Sequence, residues 1–215
     1  MKRGLIFDLD GTLVNSLAGI AASLNQALAS RKLPTHPQSA VRGFIGNGAR
    51  MLVQRAVPAG SDESLIAKLE QAFKDDYAIH WHAGTFAYDG IMPLLEKLQR
   101  SGYPLAVLSN KPHEFTTEIV TRLFPEIHFA SVLGQRAGIA HKPDPAGALE
   151  ISKELGLPPA DCSLIGDSTV DIATAHNAGM ESVAVTWGFH DRDDLQAANP
   201  GRIVASPAEL LTAFP

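Results

Sequence analysis

From Pro93 to the C-terminus the chain alternates between short apolar runs and segments of helical spacing, and nothing else in it constrains the fold as tightly. Pro93 opens a helix that carries Leu94, Leu95 and Leu98 and stops at Gly102. Leu105-Ala106-Val107-Leu108 reads as a strand, cut off by Ser109-Asn110-Lys111-Pro112. A helix over 113–124 runs to Pro125, and Phe129–Leu133 is the next strand. Pro145 starts a helix that ends at Gly156, Cys162–Ile165 is a strand, and a further helix leads to Gly179. Val183–Val185 and the weaker Ile203–Val204 are the last strands. Strands separated by helices imply right-handed crossovers and a parallel sheet. With Leu5-Ile6-Phe7 as its first strand, the expected fold class is α/β, a doubly wound parallel sheet.

Residues 15 to about 82 break the alternation, because no good strand candidate lies there. Apolar residues at Leu17, Ile20, Ala21, Leu24, Ala27 and Leu28 have helical spacing, and Pro34 and Pro37 end that helix. Residues 38–45 suit a short helix or turn. After the loop Gly46-Asn47-Gly48, a helix runs from about Ala49 to Val57. Ser61-Asp62-Glu63-Ser64 carries capping chemistry and opens a long helix with Leu65, Ile66, Leu69, Phe73, Tyr77 and Trp81 on one side. The expectation is an α/β core of residues 1–14 and 86–215, with a helical insertion, 15–85, after the first strand. The two are joined near Leu13–Ser16 and Thr85–Asp89.

Composition narrows the class of partner. Of the 215 residues 45% are hydrophobic and 19% charged, as in a globular domain. The formal net charge is −5, the pI about 5.9, and no Lys/Arg run is present, so neither nucleic acid nor an anionic membrane is expected as a partner. Cys162 is the single cysteine, which excludes an internal disulfide and fits a reducing cytosol. Met1-Lys2-Arg3-Gly4 leads directly into the first strand without an apolar signal core, and no apolar stretch is long enough to span a bilayer. A cytoplasmic location is the expectation; oligomeric state is left open.

Chemistry gathers where the strands end. In Leu5-Ile6-Phe7-Asp8-Leu9-Asp10-Gly11-Thr12-Leu13, polarity breaks abruptly into a buried strand. Asp is poor in strands and good in turns, so Asp8 and Asp10 belong at its carboxyl edge. Ligands bind at that edge in open α/β sheets. Two neighbouring acids repel unless a cation or proton intervenes, and a hard ion such as Mg²⁺ suits oxygen ligands. The bland alternative is a solvated Asx turn. Ser109 and Asn110 offer a hydroxyl and amides to phosphate oxygens, or simply a helix cap. Lys142, within His141-Lys142-Pro143-Asp144-Pro145, is a cation on stiffened backbone, or a surface lysine. Asp167 and Asp171, in Gly166-Asp167-Ser168-Thr169-Val170-Asp171, can face one point above the sheet, or serve as capping and first-turn acids.

Taken together, the ordered set resembles the haloacid dehalogenase superfamily of phosphohydrolases, whose four motifs correspond to Asp8-Leu9-Asp10-Gly11-Thr12, Ser109-Asn110, Lys142, and Gly166-Asp167 through Asp171. The insertion falls where that superfamily carries its first type of cap. Within it the sequence is most similar to the phosphoglycolate phosphatases, through Asp10–Ser16, Phe44-Ile45-Gly46-Asn47-Gly48, Ser109-Asn110-Lys111-Pro112 and Thr186-Trp187-Gly188.

The resemblance implies a phosphatase for a small phosphorylated metabolite, with Asp8 as nucleophile and Asp10 as general acid and base. It implies Mg²⁺ as cofactor, held by Asp8, the Asp10 backbone carbonyl and Asp167. Ser109, the Asn110 backbone N–H and Lys142 would bind phosphate, with Thr12 beside them supporting Asp10. Asp171 would orient Lys142 or a metal-bound water. In the cap, Asn47, Gly48 and Arg50 are expected to meet the substrate, with Arg50 as a carboxylate clamp or else an ordinary exposed helix arginine. His80-Trp81-His82 reads as helix-end packing, Trp187 and Phe189 as packing, and Cys162 as inert. A phosphosugar mutase or sugar-phosphate phosphatase is the enzymatic runner-up. A non-catalytic phosphate-binding regulatory protein is the alternative from another class, although such a protein usually lacks one of the four motifs.

Overall fold

The computed structural model describes residues 3–214. Met1 and Lys2, which begin the lead-in to the first strand, and Pro215 lie outside the described residues. In chain order the elements are β1 Gly4–Phe7, β2 Val14–Asn15, α1 Leu17–Ser30, α2 Gln38–Arg42, α3 Gly48–Ala56, α4 Glu63–His80 and β3 Phe86–Ala87. They continue with α5 Ile91–Arg100, β4 Leu105–Pro112, α6 His113–Leu123, β5 Phe129–Gln135, α7 Ala146–Glu154 and β6 Cys162–Gly166. The last are α8 Thr169–Ala178, β7 Glu181–Val185, α9 Arg192–Ala197, β8 Arg202–Val204 and α10 Pro207–Ala213. The chain divides into two compact units: Asn15–Phe86, and the residues up to Val14 together with those from Ala87 onward.

The larger unit holds a six-stranded sheet in the order β5-β4-β1-β6-β7-β8. Every neighbouring pair in it is parallel. The chain winds outward from β1 through β4 to β5, then crosses back and winds outward again through β6, β7 and β8. This is the doubly wound α/β fold expected from the alternation, with the reversal at β1. The register sets Phe7 opposite both Val107 and Ile165, so β1, β4 and β6 carry their chains to the same edge together. Ile6, Ala106 and Leu164 share one face of the sheet and pack with Ala148 and Ile151 of α7 and Ala175 of α8, all essentially inaccessible to water. Apolar burial of this kind stabilises by about 25 cal/mol per Å² removed from water. It is what locks the strand register.

The smaller unit is helical. Ile66, Leu69, Phe73 and Tyr77 recur along one stripe of α4, and Trp81 follows in the same spacing; all five are buried. Asp62 caps α4 by accepting from the Leu65 N–H at 2.7 Å. The turn after α4 passes so close to α1 that a Cβ on Gly84 would lie 2.4 Å from the Gly19 nitrogen, which requires glycine there.

Two boundaries differ from the expectation. β4 does not stop at Leu108 but runs through Ser109-Asn110-Lys111 to Pro112, because β5 extends alongside it and pairs Gln135 with Pro112 after a register shift. Residue 15, expected to lie in helix or loop, falls instead in a two-residue strand; β2 and β3 form a two-stranded ribbon.

Candidate active site

Asp8 is the first residue past β1, and its amide closes the last rung to β6 by donating to the Ile165 carbonyl at 2.8 Å. The backbone then turns sharply, with Leu13 and Val14 N–H both donating to the Leu9 carbonyl. Gly11 takes a left-handed φ of 83° against Asp167, where any Cβ would lie 2.2 Å from Oδ2. Asp167 occupies the matching position past β6. A second glycine, Gly188, is pressed against its other side, with a Cβ position 2.3 Å from both the Asp167 Cβ and the Gly11 carbonyl. Phe189 N–H donates to Asp167 Oδ2 at 2.7 Å, and Trp187 Nε1 donates to the Thr12 carbonyl at 3.0 Å. The Trp187-Gly188-Phe189 segment therefore touches both acid-bearing loops, a contact beyond the packing expected for Trp187 and Phe189.

Lys142 is the cation of the cluster. Its Nζ lies 3.0 Å from Asp8 Oδ1, 2.6 Å from Asp171 Oδ1 and 3.1 Å from the Leu108 carbonyl. Asp171, in the first turn of α8, uses its other oxygen to accept from the Ser168 hydroxyl at 2.6 Å and the Ser168 N–H at 3.1 Å, a reciprocal capping box. Both Asp171 oxygens are thus engaged, one by the Lys142 ammonium and the other by Ser168. Burial opposes the charge on Lys142, yet Asp171 and Asp8 more than offset it and hold the ammonium above its ordinary pKa.

Asp8, Asp167 and Asp171 bring carboxylate oxygens within 4.8 Å of one another. Three acids around one lysine leave negative charge in a site almost closed to water. Burial is the main reason Asp8 is pushed up to about 7, with Lys142 working against it and Asp171 and Asp10 adding to it. Asp167 is raised well above the usual carboxylate range by burial first, then by Asp171 and Asp8. Carboxyls so perturbed need a proton or a cation, and oxygen donors of this kind fit a hard divalent ion such as Mg²⁺. The group that could hold such an ion is Asp8, Asp167 and Asp171 together.

Several expected site residues make contacts that the sequence did not suggest. Thr12 is fully buried and its hydroxyl donates to Asp167 Oδ1 at 3.3 Å, a contact with the second acid loop that the sequence did not suggest. The Asn110 side chain is also engaged. It donates to the Lys142 carbonyl at 3.1 Å and accepts from the Lys142 N–H at 2.8 Å, stapling the lysine loop to β4. Ser109 and Asn110 both lie within β4, where it runs on past Leu108. The Asp10 side chain pairs with Lys111, whose Nζ lies 2.9 and 3.1 Å from its two oxygens. Sequence reasoning assigned Lys111 no role. The available signal was an ammonium placed directly after two polar strand-end residues on the strand next to β1.

The insertion residues form a separate set. Arg50 on α3 is 47% exposed and pairs with Glu63 and Glu70 of α4. Asn47 accepts from Arg55 through its Oδ1 at 2.7 Å, and Gly48 has a left-handed φ of 82° where α3 begins. His80 is exposed and pairs with Asp76 one turn earlier, while Trp81 is buried, which is the helix-end packing expected. Cys162 is buried at the start of β6, the opposite end from Asp167, and burial pushes its thiol pKa up.

Comparison with known proteins places this geometry in context. A family model described as haloacid dehalogenase-like hydrolase matches residues 5–185. A phosphoglycolate phosphatase from Pectobacterium atrosepticum is 34% identical over 97% of this chain and 91% of its own length. One from Psychrobacter arcticus is 35% identical over 93% and 90%. The crystal structure of a predicted phosphoglycolate phosphatase from Haemophilus somnus superposes with a TM-score of 0.92 at 32% identity, covering 100% of this chain and 98% of the other.

Proposed function

From the premise that this chain belongs to the haloacid dehalogenase-like hydrolase family, we propose that it is a Mg²⁺-dependent phosphatase that hydrolyses 2-phosphoglycolate through an aspartyl-phosphate on Asp8. The observation that carries the reading is the cluster at the carboxyl edge, where Asp8 lies 3.0 Å from Lys142 with Asp167 alongside and negative charge to spare. Phosphoglycolate phosphatases align over nearly the whole chain, which supports the choice of ester.

Asp8 attacks phosphorus in line with the ester oxygen; the new Asp8–phosphorus bond forms as the phosphorus–oxygen bond to the alcohol breaks. Asp10 gives a proton to the departing oxygen, then takes one from the water that attacks the aspartyl-phosphate. Inorganic phosphate leaves and Asp8 is regenerated. Lys142, the Ser109 hydroxyl and the Asn110 N–H hold the phosphoryl oxygens as their charge redistributes. Asp171, the Leu108 carbonyl and the Asn110 side chain keep Lys142 aimed. Asp8, Asp167 and the Asp10 backbone carbonyl would hold Mg²⁺, which supplies charge neutralisation between the dianionic phosphate and its carboxylate attacker. In the helical unit, 15–85, Asn47, Gly48 and Arg50 are the candidate substrate-contacting residues.

A phosphate-release screen over small monoesters tests the reading. The expected result is turnover that needs Mg²⁺, disappears with EDTA and is best for 2-phosphoglycolate. A preference for a hexose phosphate would move the assignment to the sugar-phosphate branch. No release from any ester would favour a binding protein.

A further inference from the structure

The loop after β7 carries three consecutive residues that the reaction above leaves unused. β7 lies next to β6 and runs parallel to it, with Ala184 opposite Gly166. Its exit therefore falls at the edge where Asp167 follows β6. There Trp187, Gly188 and Phe189 meet both Asp167 and the first acid loop.

Three hydrogen bonds close a ring. Trp187 Nε1–H donates to the Thr12 carbonyl at 3.0 Å, the Thr12 hydroxyl donates to Asp167 Oδ1 at 3.3 Å, and Phe189 N–H donates to Asp167 Oδ2 at 2.7 Å. Each Asp167 oxygen thus accepts one donor, and the indole ties the loop that supplies the first donor to the loop that supplies the second. Two glycines bound the carboxyl group as well. A Cβ on Gly11 would lie 2.2 Å from Oδ2, and one on Gly188 would lie 2.4 Å from the same oxygen. Gly11 has a left-handed φ and Gly188 does not, so at 188 space alone excludes a side chain.

An ionised carboxylate accepts at about four lone-pair sites. The ring uses two of those on Asp167 and leaves lone pairs for the cluster with Asp8 and Asp171. Carboxylates that hold a metal are themselves hydrogen-bonded, and losing such a partner costs metal affinity. Mg²⁺ demands near-ideal octahedral geometry, which makes its binding sensitive to a ligand that drifts.

We propose that Trp187 is a positioning residue for the metal: through the Thr12 carbonyl it brings the two donors of Asp167 together and fixes that carboxylate as a ligand. The proposal rests on the metal-dependent phosphatase reading above and deepens it by adding the loop after β7 to the metal site. A tie that served only the fold would change stability and leave the affinity of the folded protein for metal untouched.

The test uses Mn²⁺ as the probe, counting the free ion by electron paramagnetic resonance. It is titrated into substrate-free wild type, Trp187→Phe and Thr12→Val, with urea melts of the metal-free proteins alongside. Trp187→Phe keeps an aromatic ring and removes the N–H; Thr12→Val keeps the branched shape and removes the hydroxyl. Each should weaken Mn²⁺ binding by roughly 10-fold or more. In phosphate release, Trp187→Phe should raise the half-saturating Mg²⁺ concentration by a similar factor, while kcat and the KM for the ester at saturating Mg²⁺ stay within a few-fold of wild type. Wild-type Mn²⁺ affinity in Trp187→Phe overturns the proposal whatever its urea melt shows, and so does a fall in kcat that excess Mg²⁺ does not restore. Should Trp187→Phe fail to fold, Thr12→Val decides, and wild-type Mn²⁺ affinity there overturns the ring. A wild type that binds no Mn²⁺ and turns over phosphoglycolate in EDTA overturns the metal-dependent reading itself, and the proposal with it.

Discussion

The carboxyl edge of the sheet and the surface of the helical insertion both pair acids with bases, but they do so in opposite settings. At the edge, Lys142 and Asp171 are 4% and 2% exposed and meet at 2.6 Å. On the insertion, Arg50 is 47% exposed and Glu63 is 76% exposed. Water screens the second pair, so it contributes little. In the first setting each charge depends on its neighbours, because removing one partner strands another in a poorly solvated place. Chemistry is concentrated where charges cannot be satisfied by solvent.

Replacing Asp8 with Asn should have the largest effect. It removes the nucleophile, and phosphate release should fall by at least about 10⁴-fold; substantial turnover would mean that another group attacks phosphorus. Lys142→Met should be next. It leaves Asp8 and Asp171 without their shared cation, so a stability loss of roughly 3–5 kcal/mol is expected in urea melts without metal. A loss below about 1 kcal/mol would erase the contrast between the two regions.

The pH response gives a smaller and more specific effect. Asp8 is raised from 3.8 to about 7 in the folded protein, and Asp167 moves in the same direction. Folded protein thus binds protons more tightly than unfolded chain at these groups. Their contribution to stability is complete below about pH 4 and is lost as the pH rises toward 7, on the order of a few kcal/mol without metal. Mg²⁺ should raise the melting temperature more at pH 7.5 than at pH 5. An equal rise at both would separate metal binding from these carboxyls. Arg50→Ala is expected to change least, by under about 1 kcal/mol in stability. A selective loss of 2-phosphoglycolate turnover in that variant would instead give Arg50 the carboxylate-clamp role considered from sequence.

The sheet was readable before any coordinates because each strand is a short apolar run between helix signals, and those signals are local. Asp8, Lys142, Asp167 and Asp171 were readable as a set for a related reason: each sits at or near a strand end, and a parallel sheet gathers those ends. What could not be read is how each side chain is occupied. The Asn110 amide looks like a phosphate donor in sequence, yet it lies against the Lys142 backbone 32 residues away. Thr12 belongs to the first motif, and its hydroxyl reaches Asp167, 155 residues away. Lys111 gave no periodic or capping signal, and its pairing with Asp10 follows from the register that sets β4 beside β1. Gly188 is required by a close approach to Asp167 across 21 residues of chain, which no local pattern records.

The central claim is that Asp8 carries the phosphoryl group in a metal-dependent reaction, and an acid-quench experiment reaches it most directly. Wild-type protein is mixed with 2-phosphoglycolate and Mg²⁺, quenched within the first turnovers, digested and read by mass spectrometry. The account predicts phosphate on the peptide containing Asp8, absent when EDTA replaces Mg²⁺ and absent in Asp8→Asn. Steady turnover with that peptide unmodified, or a phosphoryl group on any other side chain, would contradict it.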